Sequence, residues 1–246
     1  MPDLKYFDDV PFLSADKMVE VDRAMIEDYR IDLIQMMENA GRNLAHLARK
    51  RFLDGDPRGK HAAILAGTGG NGGGALVCAR RLHNYGAQVH VYTTKPDESF
   101  SPIPAHQLDI LRRMKVQISG TDDLINLNSL DIIIDGIIGY SLAGAPRGNA
   151  AKMINWANIQ DSPILSLDTP SGIDTTTGKV FQPFIRATAT MTLALPKEGL
   201  RTPGTIEYIG ELYLADISVP PGLYSKHPLL INVDHVFARS DIIRLW

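Results

Sequence analysis

The stretch LAGTGGNGGGALVCARRL, Leu65 to Leu82, decides how this chain is read. Its glycines fall at 67, 69, 70, 72, 73 and 74. Glycine loses more freedom on folding than any other residue, so such a run needs a tight turn or a close backbone approach to justify it. Gly67-Thr68-Gly69-Gly70-Asn71-Gly72 fits G-x-G-x-x-G, with apolar HAAILA (61–66) before it and amphipathic NGGGALVCARRLHNYG after it. A strand feeding a helix through such a loop aims the helix N-terminus at a phosphate. A strand-to-helix turn with surplus glycines is the plainer alternative.

The same rhythm continues outward. QVHVYT (88–93), DIIID (131–135), PILSLD (163–168) and TATMTLAL (188–195) are short apolar runs, and VQI (116–118) is a weaker one. AHQLDILRRM and NAAKMINWAN between them read as helices. Strands alternating with helices predict βαβ units and a parallel sheet buried on both faces. GTIEYIG and GELYLADI suggest late edge strands. Upstream, Ser14 is a candidate N-cap, with Met18, Val21, Met25 and Ile26 at helical spacing. Ile34, Met37, Gly41, Leu44 and Ala48 mark a second helix. The expected fold class is α/β: one Rossmann-like, doubly wound, mostly parallel sheet with helices on both faces and two extra N-terminal helices. Residues 1–246 read as one domain, with 10–52 as its helical extension.

A 44% hydrophobic content supports a substantial core, and a net charge of −3 with no basic run gives no reason to expect nucleic acid. The lone cysteine, Cys78, excludes an internal disulfide and suits a reducing compartment. MPDLKYFDDV lacks the basic and apolar regions of a secretory signal, and no stretch reaches 18 uninterrupted apolar residues. A cytoplasmic protein with no membrane span is the expectation.

The ordinary dehydrogenase reading meets an obstacle. The second strand ends VYTTK, where an acid for the ribose is wanted, and no Tyr-x-x-x-Lys pair exists. There is no P-loop lysine and no G-x-S-x-G elbow. Asp135 and Asp168 stand at the carboxyl ends of two other strands, where ligands of open α/β sheets bind. Each also reads as a turn former, and Asp174 in GIDTTTG more so. Lys95 reads as a partner for a 2′-phosphate or as an exposed lysine after a strand.

MMENAGRNLA, GTGGNGGGALVCARRL, DGIIGYSLAGAPRG, LDTPSGID and ALPKEGL together resemble the YjeF N-terminal domain family in order, from about Leu13 to about Pro220. That family's enzymes are NAD(P)H-hydrate epimerases. The resemblance implies a homodimer that interconverts the R and S epimers of hydrated NADH and NADPH, feeding a separate S-specific dehydratase. It implies a potassium ion on Asn71, Asp135 and Ser171, oxygen donors suited to a hard cation. It assigns substrate contacts to Gly70, Asn71, Gly72, Gly73 and Gly74, to Gly139, Tyr140, Ser141, Leu142, Ala143, Gly144 and Ala145, and to Asp168. Asp168 becomes the general acid/base, with Lys197 as its partner; Lys197 reads equally as a surface ammonium. The sequence departs from the family's usual G-P-G-N-N-G-G-D-G at Gly70, Gly74 and Ala75, and from its second loop at Gly136 and Ser141. Those losses keep open a second reading, a ligand- or protein-binding module of the same fold.

Overall fold

A computed structural model describes residues 10–124 and 129–246. MPDLKYFDD, read above against a secretory signal, lies outside them. Helices α1 (Ala15–Glu27) and α2 (Leu33–Arg51) precede β1 (His61–Ala66), α3 (Gly70–Asn84), β2 (Gln88–Thr93), α4 (Pro102–Arg113), β3 (Gln117–Gly120) and β4 (Ile132–Gly136). Then follow α5 (Gly148–Asn158), β5 (Ile164–Leu167), β6 (Ala189–Leu193), α6 (Ile206–Ile209), β7 (Glu211–Ala215), α7 (Pro221–Tyr224) and β8 (Ile242–Arg244).

The eight strands form one sheet in the order β3-β2-β1-β4-β5-β6-β7-β8, parallel throughout except for β8, which runs antiparallel to β7. Side chains alternate across it as strand geometry requires. Ala62, Ile64 and Ala66 of β1 pack with Leu44, Leu76 and Leu108 from α2, α3 and α4. Ala63 and Leu65 face the other way, onto Met153, Ile154 and Ala157 of α5. Helices therefore cover both faces, and β1 reads as an unbroken apolar run because both of its sides are buried.

Ser14 caps α1, its side chain accepting from the Lys17 N–H, and α2 opens on a capping box between Asp32 and Gln35. Met18, Val21 and Met25 are buried against Leu212, Leu214 and Ile217. Ile26, expected on the same face, is 39% exposed. A second expectation fails at GTIEYIG, which forms the single-turn α6 rather than a strand. Ile206 and Ile209 suit a helical spacing as well as an alternating one, which short apolar runs leave undecided. β7 is not an edge either: β8, which no pattern signalled, covers it. Among the described residues no helix is long and apolar enough to cross a membrane.

Candidate functional site

The sheet order reverses between β1 and β4, the switch point where open α/β sheets leave a crevice at their carboxyl ends. A cavity of about 1020 Å³ occupies it. The glycine loop, Ile137 to Ser141, Asp168 and Lys197 wall it on the sheet side, with Met18, Asp22 and Met36 closing over from α1 and α2. Thr94, Lys95, Arg147 and Asn149 form its other end.

The loop glycines divide into two kinds. A Cβ on Gly67 would land on the Ile137 carbonyl, and one on Gly72 on the Gly67 carbonyl. On Gly73 it would strike the Met37 thioether, and on Gly74 it would sit 2.6 Å from Leu167 Cδ2. These four let α3 press against β1, β4, β5 and α2. Gly69 and Gly70 meet nothing within 4 Å. Their bare backbone faces the cavity at the N-terminus of α3, where unpaired N–H groups favour an anion.

Asp168 stands one residue past β5 with a left-handed φ of 68°. That conformation costs most side chains about 1–2 kcal/mol and is least foreign to Asp and Asn. It turns the carboxyl off the strand line and toward β6. Asp168 Oδ1 accepts from Lys197 Nζ, from Thr192 Oγ1 at 3.3 Å and from the Leu193 N–H at 3.3 Å. Lys197 is 1% exposed, so it is no surface ammonium, and it also donates to the Leu193 carbonyl at 2.9 Å. The N-terminal segment holds it there: the Leu13 N–H donates to the Pro196 carbonyl and the Glu198 N–H to that of Leu13. Asp168 Oδ2 accepts no hydrogen bond from the described residues.

Asp135 has a different setting. It lies within β4, 1% exposed, behind the cavity wall. Its Oδ1 accepts from Ser171 Oγ at 2.6 Å and the Ile137 N–H at 3.2 Å, and its Oδ2 from Ser166 Oγ at 2.8 Å and the Ser171 N–H at 2.9 Å. Burial pushes its pKa up, and these donors oppose the rise without cancelling it. Among the described residues no basic side chain pairs with it. A buried carboxylate without a counter-charge is costly, and a cation would supply one. Ser171 Oγ has one proton for two acceptors, Asp135 Oδ1 and the Ile138 carbonyl at 3.2 Å. Turning it to Ile138 frees a carboxylate lone pair. Asn71 donates its amide to the Leu167 carbonyl at 2.7 Å, leaving Oδ1 without a described donor beside Gly139. Amide, carboxylate and hydroxyl oxygens are the donor types that a hard cation takes.

Of the other residues expected at the site, Gly139, Tyr140 and Ser141 line the cavity, whereas Gly73, Leu142, Ala143, Gly144 and Ala145 do not. Asp174 holds a turn, its Oδ1 accepting from the Thr176 and Thr177 N–H groups. Sequence reasoning passed over Asp22, whose carboxylate accepts from Tyr140 Oη at 2.6 Å. A signal existed: Asp22 interrupts the apolar stripe Met18–Val21–Met25 at helical spacing.

A family model described as YjeF-related protein N-terminus matches residues 33–199. The chain is 40% identical, over 93% of its length, to the NAD(P)H-hydrate epimerase of Dehalogenimonas lykanthroporepellens, and covers 90% of that protein. It is 34% identical over 86% of its length to the bifunctional NAD(P)H-hydrate repair enzyme Nnr of Moorella thermoacetica, spanning 41% of that longer chain. The crystal structure of yeast ynu0, YNL200c, matches with a TM-score of 0.79 at 25% identity, over 96% of this chain and 100% of that one.

Proposed function

The chain belongs to the YjeF-related N-terminal family, and from that premise we propose that it is an NAD(P)H-hydrate epimerase. It interconverts the R and S epimers of hydrated NADH and NADPH. The observation that carries this reading is the buried Asp168–Lys197 pair, which presents one carboxylate oxygen to the cavity beside the bare turn at Gly69 and Gly70.

The dinucleotide is substrate rather than redox cofactor, which accounts for the missing ribose acid and Tyr-x-x-x-Lys pair. Its pyrophosphate lies over Gly69, Gly70 and the start of α3. The adenosine end extends toward Lys95 and Arg147, exposed cations without an ion pair among the described residues, and the hydrated ring toward Asp168. Epimerisation proceeds by loss and return of the ring hydroxyl. Asp168, through Oδ2, transfers a proton at the oxygen, while Lys197, Thr192 and the Leu193 N–H hold Oδ1 still.

Asn71, Asp135 and Ser171 would hold a potassium ion, which when bound offsets the buried carboxylate and substrate phosphate charge. Val19, Ile26 and Leu33 are exposed apolar residues on α1 and at the start of α2, the last two also lining the cavity, and a homodimer would cover them. A chain with a single cysteine, buried and unpaired, suits a reducing cytoplasm. An S-specific dehydratase consumes the product.

The test supplies R-epimer hydrate with an S-specific dehydratase at several potassium concentrations. Added protein should speed consumption above the spontaneous rate. Dinucleotide binding without acceleration at any potassium concentration would favour the binding-module reading instead.

A further inference from the structure

A second acid enters the cavity from a part of the chain remote from both strand ends. Asp22 sits on α1 among buried Met18, Val21 and Met25, and lines the same cavity as Asp168. Tyr140 Oη donates to Asp22 Oδ2 at 2.6 Å, and no described residue donates to Oδ1. Asp168 is arranged alike, with Oδ1 taken by Lys197, Thr192 and Leu193 and Oδ2 left without a donor. Each carboxyl thus has one oxygen fixed by the protein and one available to a ligand.

The two groups also feel each other. Burial raises the pKa of Asp22; the Tyr140 hydrogen bond and the Lys197 charge oppose this, and the Asp168 charge adds to it. Two carboxyls with unlike partners on one cavity are the pairing that proton transfer at two faces of a ring needs.

We propose that Asp22 is a second proton-transfer group of this site, so that Asp22 and Asp168 each serve one face of the hydrated ring. The proposal rests on the epimerase reading above and deepens it. The C–O bond breaks with electrons supplied by the ring nitrogen lone pair, and the hydroxyl leaves as water with a proton from one carboxylic acid. Water then adds to the opposite face of the ring carbon, the nitrogen regains its lone pair, and the water's proton passes to the other carboxylate. Atoms and charge balance: the acid has become the carboxylate and the carboxylate the acid, which primes the enzyme for the reverse direction.

The experiment compares wild type, Asp22→Asn and Tyr140→Phe in the coupled epimerase assay across pH, with dinucleotide binding measured in parallel. The amide still accepts from Tyr140, so D22N should bind dinucleotide within about threefold of wild type while kcat falls by about 100-fold or more. Its pH–rate profile should lose one limb. The groups facing Asp22 are Tyr140 from the loop after β4, Asp168 after β5, Lys197 after β6 and Tyr224 on α7. Since the Tyr140 bond lowers the carboxyl's pKa, Y140F should keep both limbs and move that of Asp22 to higher pH. A D22N profile with both limbs intact, or a change in KM with kcat retained, overturns the inference while leaving the epimerase reading standing. A wild type that accelerates nothing overturns both.

Discussion

The ends of β4 and β5 present the same motif, an apolar strand closing on aspartate, yet they build opposite environments. Asp135 remains within its strand and is enclosed by four donors from Ser166, Ser171 and Ile137. Asp168 lies one residue beyond its strand, and its left-handed φ swings the carboxyl to a buried ammonium and an open cavity. Hydrogen bonds without a counter-charge make the first a fixed joint between loops. An ion pair that leaves one oxygen free lets the second meet a ligand. Burial alone does not separate them, since both are almost wholly buried; the partners do.

That contrast can be broken most sharply at Asp168. Asp168→Asn should slow epimerisation by about 10²–10⁴-fold in the coupled assay, with dinucleotide binding retained. It also strands Lys197 in the interior, so the melting temperature should fall as well. Normal turnover by this variant would remove Asp168 from the chemistry.

Asp135→Asn should act first on stability. One amide oxygen cannot serve donors that two carboxylate oxygens served, and each donor left stranded costs about 1–3 kcal/mol. For a chain of this size that means roughly 2–4 °C per kcal/mol in calorimetry without ligand. A wild-type melting temperature here would erase the distinction between the two strand ends.

The glycine loop offers smaller effects that sharpen the picture. Gly72→Ala drives a Cβ into the Gly67 carbonyl, a backbone atom that cannot turn aside, and should cost about 1–3 kcal/mol or more in urea unfolding. Gly70→Asn restores a side chain typical of the family at a position with open space around it. It should leave stability within about 0.5 kcal/mol and tighten dinucleotide binding by roughly 0.5–1.5 kcal/mol in titration calorimetry. Gly74→Asp is the less favourable reversion, because Leu167 Cδ2 must first move away. Weaker binding by Gly70→Asn would show that the bare turn is itself what the ligand needs.

Much of the fold was legible because its signals are local. HAAILA and QVHVYT match β1 and β2 residue for residue, and Ser14 caps α1 as its side chain suggests. GTIEYIG misled because four residues cannot separate a period of two from one of three to four. β8 was silent: three residues near the C-terminus become a strand only where β7 offers an unpaired edge. Asp22 was hidden because a lone acid on an apolar stripe carries no local sign of its partner, and Tyr140 lies far along the chain.

By itself the sequence determined the alternation of strand and helix, the bare turn at the switch point and the two acids at strand ends. These follow from side-chain periodicity and from backbone preferences spanning a few residues. Only the tertiary structure decided what each acid became. Lys197 reaches Asp168 because β6 lies beside β5 and Leu13 pins the following turn, and Asp22 meets Tyr140 across a sequence separation of 118 residues. Charge and hydrogen bonding at a buried carboxyl depend on neighbours brought in from afar, and no local pattern in the chain records them.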